Sequence, residues 1–473
     1  MNPQIQEVIQ NFAKNPLFSD AEEDEMILGG SPYRRPTRNH DNDFIDYERP
    51  LRAEQQASNG ALSAHRLLLN AYETDLFFLP AENYDGLSGD LRRFYGPKAL
   101  AAAAAARPIL ERKAFSFLDE EVAITGRWTA GLLTAYFREF VEAESARSSE
   151  AYLAQPLLAE VAGHRDPPSA ARHFMIQMAS DFLSEASAMA RYSMGAYGPL
   201  QSSLFTVQID EYGAGVHARK HSTLFEDAMR SVGLDPRVHA YWQFYQPTSL
   251  ALTNYFHYLG VNKALFFRYL GALFYTETSL VNTARQQSQL LKAVFGDRAD
   301  TTYFDEHAHI DQHHGDMALH RLVAPALASF GDEVAPEILR GFEEFRYLQA
   351  AADRDLIAQL RWSGDLASHE AAAREFYRRV TSGEVQAPLE TFVERKGERS
   401  TTHAHAEDRL LVIETGEMAF WPLYGEPIRF RAGDVTLIPK HRLHGSVVLS
   451  PECVYHQPFF SGELPSPAAA GAR

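Results

Sequence analysis

Hydrophobic residues recur at helical spacing through most of the chain and give way to short β-branched runs near its carboxyl end. Runs such as ALSAHRLLLNAYETDLFF and PEILRGFEEFRYLQAAADRDLIAQL place apolar residues on one face of a helix. After Gly383, runs such as RLLVIETGEMAFWPL and GSVVLS are separated by glycine and proline, which is typical of a small antiparallel barrel or sandwich. The pattern predicts a multidomain α + β protein.

Three parts are expected, because 473 residues exceed what one hydrophobic core usually holds. Residues 1–147 read as a helical N-terminal module, for which we expect a packing or dimerisation role. Residues 148–383 read as an all-α bundle whose long helices are broken by proline and glycine. Residues 384–473 read as the β-domain.

The stretch YFDEHAHIDQHHGDMALH contains two different sets of histidines. On a helix of 100° per residue, His307, Asp311 and His314 fall within a stripe of about 60°, which the apolar Met317 flanks. The polar side carries the others, His309, His313 and His320. Burying two imidazoles and a carboxylate on an apolar face costs desolvation free energy, and binding a metal ion would offset that cost.

Carboxylates on other predicted helices raise the same question. Glu277 lies in the middle of an apolar stripe, so we expect it to be paired, protonated or bound to a metal. Glu185 lies at the border of another apolar stripe. Glu211 precedes His221 by ten residues, which is about 15 Å on a straight helix. One metal could join these two only if the chain bends at the sequence GAG between them.

The combined set has carboxylates and imidazoles but no thiolate: Glu185, Glu211, His221, Glu277, His307, Asp311 and His314. Such donors suit two ions of iron or manganese better than zinc or copper. Each residue taken alone also fits a hydrogen-bonded core position. A ferritin-like di-iron bundle is not expected, because it needs Glu-x-x-His twice. Here Glu306 and His309 form that motif once, with His309 on the polar side.

Two segments of the β-domain, KGERSTTHAHAEDRLLVIETGEM and RAGDVTLIPKHRLHGS, resemble the two cupin motifs. Alternation along a strand turns His403 and His405 to the same side, and the resemblance adds His444 as the third ligand inside the barrel. Arg409 stands where the motif usually has a glutamate. Neutral imidazoles with open positions suit Fe(II), with zinc and copper also possible. The alternative is a cupin that has lost its metal and only binds a ligand.

The whole arrangement resembles the N-nitrosourea-forming metalloenzymes of streptozotocin biosynthesis, across essentially the full chain. Its bundle resembles the heme-oxygenase-like di-iron oxidases, a seven-helix fold, and its C-terminal part resembles a cupin β-barrel. In that family the ligands are a glutamate, a glutamate ten residues before a histidine, another glutamate and His-x₃-Asp-x₂-His. This pattern is matched one by one by Glu185, Glu211 with His221, Glu277, and His307 with Asp311 and His314.

The resemblance implies a non-haem iron oxygenase with two iron ions in the helical domain, one in the cupin, and O₂ as co-substrate. The first site would N-hydroxylate the guanidine of Nω-methyl-L-arginine twice, and the cupin site would oxidatively rearrange the product to an N-nitrosourea. The chain shows no GxGxxG or P-loop motif, so we expect an external reductant or reductase. Arg409 and Tyr455 are the candidate catalytic residues beside the cupin metal.

Two alternatives stay open. The first is a di-iron N-oxygenase or desaturase of another amine, with a regulatory cupin. The second is a metal-storing or metal-sensing bundle with a ligand-binding cupin and no enzymatic activity. Substrate-dependent oxygen consumption and loss of the final product on changing His403 and His405 would separate these from the two-site oxygenase.

Composition narrows the partners and the compartment. The formal net charge of −17 argues against a nucleic-acid partner and is compatible with a small cationic substrate. The lone cysteine, Cys453, excludes an intramolecular disulfide and fits a reducing cytoplasm. Neither a signal peptide nor an apolar run long enough for a bilayer is evident. We therefore expect a cytoplasmic protein. The N-terminal module is consistent with a homodimer, and the resemblance implies an arginine-derived small molecule as the substrate.

Overall fold

This computed structural model describes residues 2–19, 25–28, 30–80, 82–147, 150–195 and 198–460, and for residues 310–314 it describes the backbone alone. The amino-terminal part is helical, as its periodicity predicts. Its helices are α1 Pro3–Ala13, α2 Asn39–Phe44, α3 Asn59–Glu73, α4 Leu87–Tyr95, α5 Pro97–Phe115, α6 Leu118–Glu121 and α7 Ala130–Ala146.

The central part is also helical, and proline at the first turn begins several of its helices. These helices are α8 Pro156–Gly163, α9 Pro167–Phe182, α10 Ser187–Ala190, α11 Pro199–Glu211, α12 His221–Ser231, α13 Pro247–Val261, α14 Phe266–Phe295, α15 Thr302–Met317, α16 Ala324–Phe330, α17 Ala335–Asp365 and α18 Glu370–Thr381. A π-helical segment, Ala318–Val323, joins α15 to α16.

Helices α14 and α17 form the closest packed pair of the central part. A Cβ added at Gly271 of α14 would lie 1.8 Å from the Ile338 oxygen, and one at Gly341 of α17 would lie 1.8 Å from the Arg268 oxygen. Only glycine allows the two backbones to approach in this way. Helices α13 and α15 pack against this pair.

The amino-terminal and central helices share one hydrophobic core. Phe137 of α7 stacks on Phe274 of α14 with ring centroids 4.4 Å apart, and its ring lies 5.0 Å from that of Phe342 on α17. Burial of aromatic rings of this size contributes strongly to the stability of a core. The division into residues 1–147 and 148–383 therefore stays a prediction.

The β-domain folds as two antiparallel sheets that enclose a common interior. One sheet has the strand order β1-β8-β3-β6 with β9 paired to β3, and the other has the order β2-β7-β4-β5. The strands are β1 Thr391–Arg395, β2 Arg399–His403, β3 Asp408–Thr415, β4 Glu417–Trp421, β5 Ile428–Arg431, β6 Val435–Ile438, β7 His444–Val448, β8 Glu452–His456 and β9 Phe459–Phe460.

The predicted fold class, helical parts followed by a C-terminal β-domain, is confirmed. Two local details differ from the sequence-based expectation. The run ARHFMIQMASDFLSEASAMARYSM is broken between α9 and α10, where Ala186 takes a φ of 61°. Strand β2 ends at His403, so His405 lies in the turn that follows. Among the described residues, none of the helices is long and apolar enough to cross a membrane.

Candidate metal sites

Three histidines converge at the end of the β-domain interior that faces the helices. His403 ends β2 and pairs in register with His444 at the start of β7, and His405 follows two residues later. The three ring centroids lie 4.5–4.9 Å apart. One ring nitrogen from each lies within 4.8 Å of the others. These are the three residues that the cupin resemblance selects.

Backbone carbonyls orient these rings. His403 Nδ1 lies 3.0 Å from the Thr401 oxygen, and His444 Nδ1 lies 2.9 Å from the Arg442 oxygen. Because a carbonyl only accepts, His444 Nδ1 carries the proton and its Nε2 is left with a bare lone pair. His403 Nδ1 lies between the Thr401 carbonyl and Arg38 Nη1, which only donates. Among the described residues, the buried Nε2 atoms of His405 and His444 have no hydrogen-bond partner.

Burial also keeps these imidazoles neutral. It lowers the pKa of His405 to about 2 and that of His444 to about 4. Burial, followed by the charge of Arg38, holds the pKa of His403 well below its usual value. Neutral imidazoles with unprotonated Nε2 atoms aimed at one point are what a divalent transition metal needs as ligands. The cluster therefore fits a mononuclear metal centre with nitrogen ligands only.

The helical parts reach this cluster directly. Arg38, which precedes α2, donates from Nη1 to the Thr401 oxygen at 2.8 Å and lies 3.0 Å from His403 Nδ1. Phe420 of β4 stacks on His444 with ring centroids 5.4 Å apart. The protein thus holds the rings in place from two sides, one polar and one apolar.

The two candidate catalytic residues lie inside the β-domain but contact other partners. Arg409 Nη1 lies 2.5 Å from Glu390 Oε2, and its guanidinium lies over the ring of Phe459. Tyr455 donates its hydroxyl proton to Glu394 Oε1 at 2.7 Å. Their catalytic role stays a prediction.

A second cluster forms in the helical part from Glu185, Glu211, His221 and His307. A turn in the chain, and not a straight helix, brings Glu211 and His221 together in this cluster. Glu211 ends α11 and His221 begins α12, with the GAG turn between them. A Cβ at Gly213, which has a φ of 61°, would lie 2.5 Å from the Arg219 carbonyl carbon. Glycine is therefore required for the chain to fold back.

The ligand atoms of this cluster lie close together. Glu211 Oε2 is 2.7 Å from His221 Nδ1, and His221 Nδ1 is 3.1 Å from His307 Nε2. His307 Nε2 is in turn 3.2 Å from Glu185 Oε1. Donor atoms bound at about 2.1 Å to one ion lie roughly 3.0–3.5 Å apart. The spacing of these nitrogen and oxygen atoms fits a shared metal ion.

The environment of the cluster stabilises positive charge. Burial lowers the pKa of His221, but the hydrogen bond and charge of Glu211 outweigh burial and leave that pKa raised. Tyr303 donates to Glu185 Oε1 at 2.9 Å, and its backbone oxygen accepts from His307 Nδ1 at 2.8 Å. A cation placed between these carboxylates would replace the proton of His221.

The remaining predicted ligands lie on the neighbouring helices. Glu277 of α14 is buried. Gly315 of α15 packs on its backbone, with a Cβ built there 3.5 Å from the Glu277 oxygen. Asp311 and His314 belong to the same segment of α15, and their side chains lie outside the described residues. His309 is exposed, as the helical projection predicts.

Three further residues beside the clusters were not selected from the sequence. Tyr303 lies four residues before His307 on one helix, so helical spacing could have identified it. Arg38 lies far from His403 along the chain and carries no local signal. Asp181, near Glu185, has a pKa raised to about 7 by burial and by the neighbouring carboxylates.

Two comparisons with known proteins bear on these clusters. Residues 172–350 match a family model described as an iron-containing redox enzyme. This range contains every predicted ligand of the helical part. The chain is 43% identical over 452 residues to a nitrosourea synthase from Streptomyces achromogenes subsp. streptozoticus. The aligned region covers 96% of this chain and 94% of that protein.

Proposed function

The chain belongs to the nitrosourea synthase family, and we propose that it forms an N-nitrosourea in two iron-dependent stages. In the first stage, the helical part hydroxylates two guanidine nitrogens of Nω-methyl-L-arginine in turn. In the second stage, the β-domain oxidatively rearranges the doubly hydroxylated product. The observation that carries the proposal is the pair of separate clusters with different donor chemistry in one chain.

Each hydroxylation needs an external source of electrons. One atom of O₂ enters an N–H bond to give N–OH, and the other leaves as water after two electrons and two protons are added. The chain has no nucleotide-binding motif for a flavin or nicotinamide. We therefore propose that an external reductant or reductase supplies the electrons. We also propose a homodimeric assembly and a cytoplasmic location.

The two clusters would hold iron in different ways. In the helical part, two ions would be held by Glu185, Glu211, His221, Glu277, His307, Asp311 and His314. In the β-domain, one ion would be held by His403, His405 and His444. Bound iron would supply the activation of O₂ at both sites. Carboxylates balance the charge of oxidised iron, whereas neutral imidazoles favour Fe(II) with open positions.

The residues around the ligands have defined tasks in this proposal. Tyr303 keeps one oxygen of Glu185 hydrogen-bonded and so restricts the carboxylate to one orientation. The carbonyl of Arg442 keeps the proton of His444 on Nδ1. The apolar ring of Phe420 shields His444 from water.

The test follows the products over time. Full-length protein loaded with Fe(II) is incubated with Nω-methyl-L-arginine, a chemical reductant and O₂, and sampled by LC–MS. We expect masses for one and two added oxygens, followed by the nitrosourea. A protein that binds iron at both clusters but converts none of this substrate would contradict the proposal.

A matched pair of variants separates the stages. The His405→Ala variant should accumulate the doubly hydroxylated compound, because it removes a nitrogen from the β-domain cluster. The His456→Ala variant should behave like the wild type, since His456 contacts Glu414 and Thr391 instead of the cluster. Unchanged nitrosourea formation in His405→Ala would favour an N-oxygenase with a regulatory β-domain.

A further inference from the structure

We propose that the interior of the β-domain binds its ligand as an extended amino acid, with Glu394 facing a substituted guanidine and Arg409 facing the α-carboxylate. This inference rests on the proposed function and assigns the ends of the molecule that the second stage acts on. It concerns how the ligand is recognised, and it assigns to Tyr455 the role of positioning the Glu394 carboxylate.

Strand alternation shows that both charged residues face the interior. On β3, Leu411 and Ile413 belong to the interior cluster, whereas Leu410 and Val412 pack outside against α18. Arg409 is in phase with the first pair, so it points inward.

The same reasoning places Glu394. On β1, Phe392 stacks on the interior Tyr455 with centroids 5.1 Å apart, whereas Val393 is 60% exposed. Glu394 is in phase with Phe392 and accepts the proton of the Tyr455 hydroxyl. A glutamate and an arginine therefore line an otherwise largely apolar interior.

Both residues present buried polar atoms that no described residue satisfies. Glu394 Oε1 accepts from Tyr455, but Glu394 Oε2 has no hydrogen-bond partner. Arg409 Nη1 contacts Glu390, but Arg409 Nε has no partner. A buried polar group left without a partner costs about 1–3 kcal/mol. An acceptor and a donor of this kind are therefore places for a ligand or for ordered water.

The chemistry of the two ends selects the ligand. A carboxylate oxygen that lacks a donor fits the N–H and N–OH groups of a substituted guanidine. Burial raises the pKa of Glu394, and a donor on the ligand would favour the charged carboxylate. A guanidinium nitrogen that lacks an acceptor fits a carboxylate. A zwitterionic amino acid with a guanidine-derived side chain carries both groups.

The spacing of the two ends fits such a molecule. Glu394 pairs with Cys453, two residues before Tyr455 on β8, and Tyr455 pairs with Ile413. Arg409 lies four residues from Ile413 in the other direction along the sheet, so roughly 20 Å separates the two backbone positions along the strands. An extended arginine-like ligand spans about 8 Å between its guanidine and its carboxylate. The side chains on either side close the remaining distance.

The histidine cluster lines the same interior. Phe420, whose ring stacks on His444, belongs to the apolar cluster that includes Ile413 and Tyr455. Arg38 Nη1 lies 3.0 Å from His403 Nδ1. A ligand held between Glu394 and Arg409 would therefore lie in the interior that the three histidines line.

Binding is measured apart from catalysis. Zinc replaces iron in full-length protein, because it occupies nitrogen sites without redox chemistry. The probe is doubly N-hydroxylated Nω-methyl-L-arginine, titrated by calorimetry, and the KM for its conversion to the nitrosourea is measured with the iron-loaded protein. Glu394→Gln should weaken both Kd and KM at least about 10-fold, and Tyr455→Phe should weaken them less.

The carboxylate end is tested with a second ligand. The wild type should prefer the probe over its α-carboxamide at least about 10-fold, and Arg409→Met should bind the two equally. Glu414→Gln and Arg429→Met are matched controls, since both side chains are exposed. Zinc content and near-UV circular dichroism verify that each variant is folded.

The outcomes separate the inference from the proposed function. Wild-type-like Kd and KM in Glu394→Gln, or an unchanged carboxylate preference in Arg409→Met, would overturn the inference while leaving the function intact. A wild type that forms the nitrosourea but does not bind the probe in its zinc form would also overturn it. Failure of the iron-loaded wild type to form any nitrosourea would instead contradict the proposed function.

Discussion

Arg442 of the β-domain and Asp355 of helix α17 form a buried ion pair, with 2.8 Å between Nη2 and Oδ1. Arg442 Nη1 also donates to the Asp355 backbone oxygen at 2.9 Å. The backbone oxygen of the same arginine accepts the Nδ1 proton of His444. Next to it, Gln359 of α17 accepts from the Leu443 N–H at 3.0 Å. The helical part thereby fixes the backbone that orients one ligand of the β-domain cluster.

Asp355→Asn should weaken metal binding in the β-domain without affecting the first stage. Removing one partner of a buried ion pair destabilises a protein by about 3–5 kcal/mol and frees the other charge to move. The Arg442 carbonyl would then hold His444 less firmly. We expect an iron affinity at the three-histidine cluster lower by about 10-fold or more. Metal content after dialysis and nitrosourea formation from the doubly hydroxylated compound measure this.

The control for that experiment lies on the same helix. Arg361 of α17 pairs with Glu160, with side chains that are 65% and 23% exposed. Exposed pairs contribute little, so Glu160→Gln should keep full iron content. A fully loaded and fully active Asp355→Asn variant would show that the ion pair does not position His444.

His307→Ala should abolish hydroxylation, whereas His309→Ala should leave it unchanged. The two residues lie on α15, but His307 is buried against Glu185 and His221, and His309 is exposed. Loss of His307 removes a nitrogen from the helical cluster, and we expect at least about a 100-fold loss of iron affinity there. The second stage, started from the doubly hydroxylated compound, should persist. Equal activity of the two variants in the first stage would remove His307 from the proposed ligands.

Gly271→Ala should destabilise the helical part, because its Cβ would overlap the Ile338 oxygen across the α14–α17 contact. Overpacking of this kind costs about 1–3 kcal/mol, and more where a backbone must move. Since α14 carries Glu277, iron loading of the helical part should fall as well. Gly163→Ala is the control, since its added Cβ would meet no described atom within 4 Å outside its chain neighbours and its own helix backbone. Urea unfolding and metal content measure both effects, and an unchanged Gly271→Ala protein would mean that the helices can separate at no cost.

Acid should destabilise the metal-free protein partly through His173. Burial lowers the pKa of His173 to about 3, against about 6.5 in an unfolded chain. Between these values the unfolded chain binds a proton that the folded chain does not. The free energy of unfolding should therefore fall as the pH drops from about 6.5 towards 3, with a slope that approaches about 1.4 kcal/mol per pH unit on account of this residue.

His173→Gln should reduce that slope in urea unfolding between pH 7 and pH 5, and the exposed His309→Gln should not. The Tyr424 N–H donates to His173 Nδ1 at 3.2 Å. Protonation would remove this contact between α9 and the β-domain. Identical slopes for the wild type and His173→Gln would show that another group governs the acid limb.

Local sequence determined a large part of this protein. Helical periodicity placed His307 inward and His309 outward, because each turn of a helix repeats the same burial. Strand alternation and glycine placement predicted the β-domain and grouped His403 with His405, and the cupin resemblance added His444. The pair Glu211 and His221 required a bend, and the GAG sequence between them supplied it. These features depend on neighbours a few residues away, which a sequence displays directly.

Tertiary packing decided the rest. Helix α9 ends before Glu185 without a glycine or proline at the break. The Glu185 carboxylate accepts a hydrogen bond from Tyr303 of another helix. Arg38 contacts Thr401 across 363 residues of sequence, and Asp355 contacts Arg442 across 87. Periodicity reports which face of an element is buried and says nothing of what packs on it. The partners that hold each ligand were therefore decided only when the helical parts and the β-domain packed together.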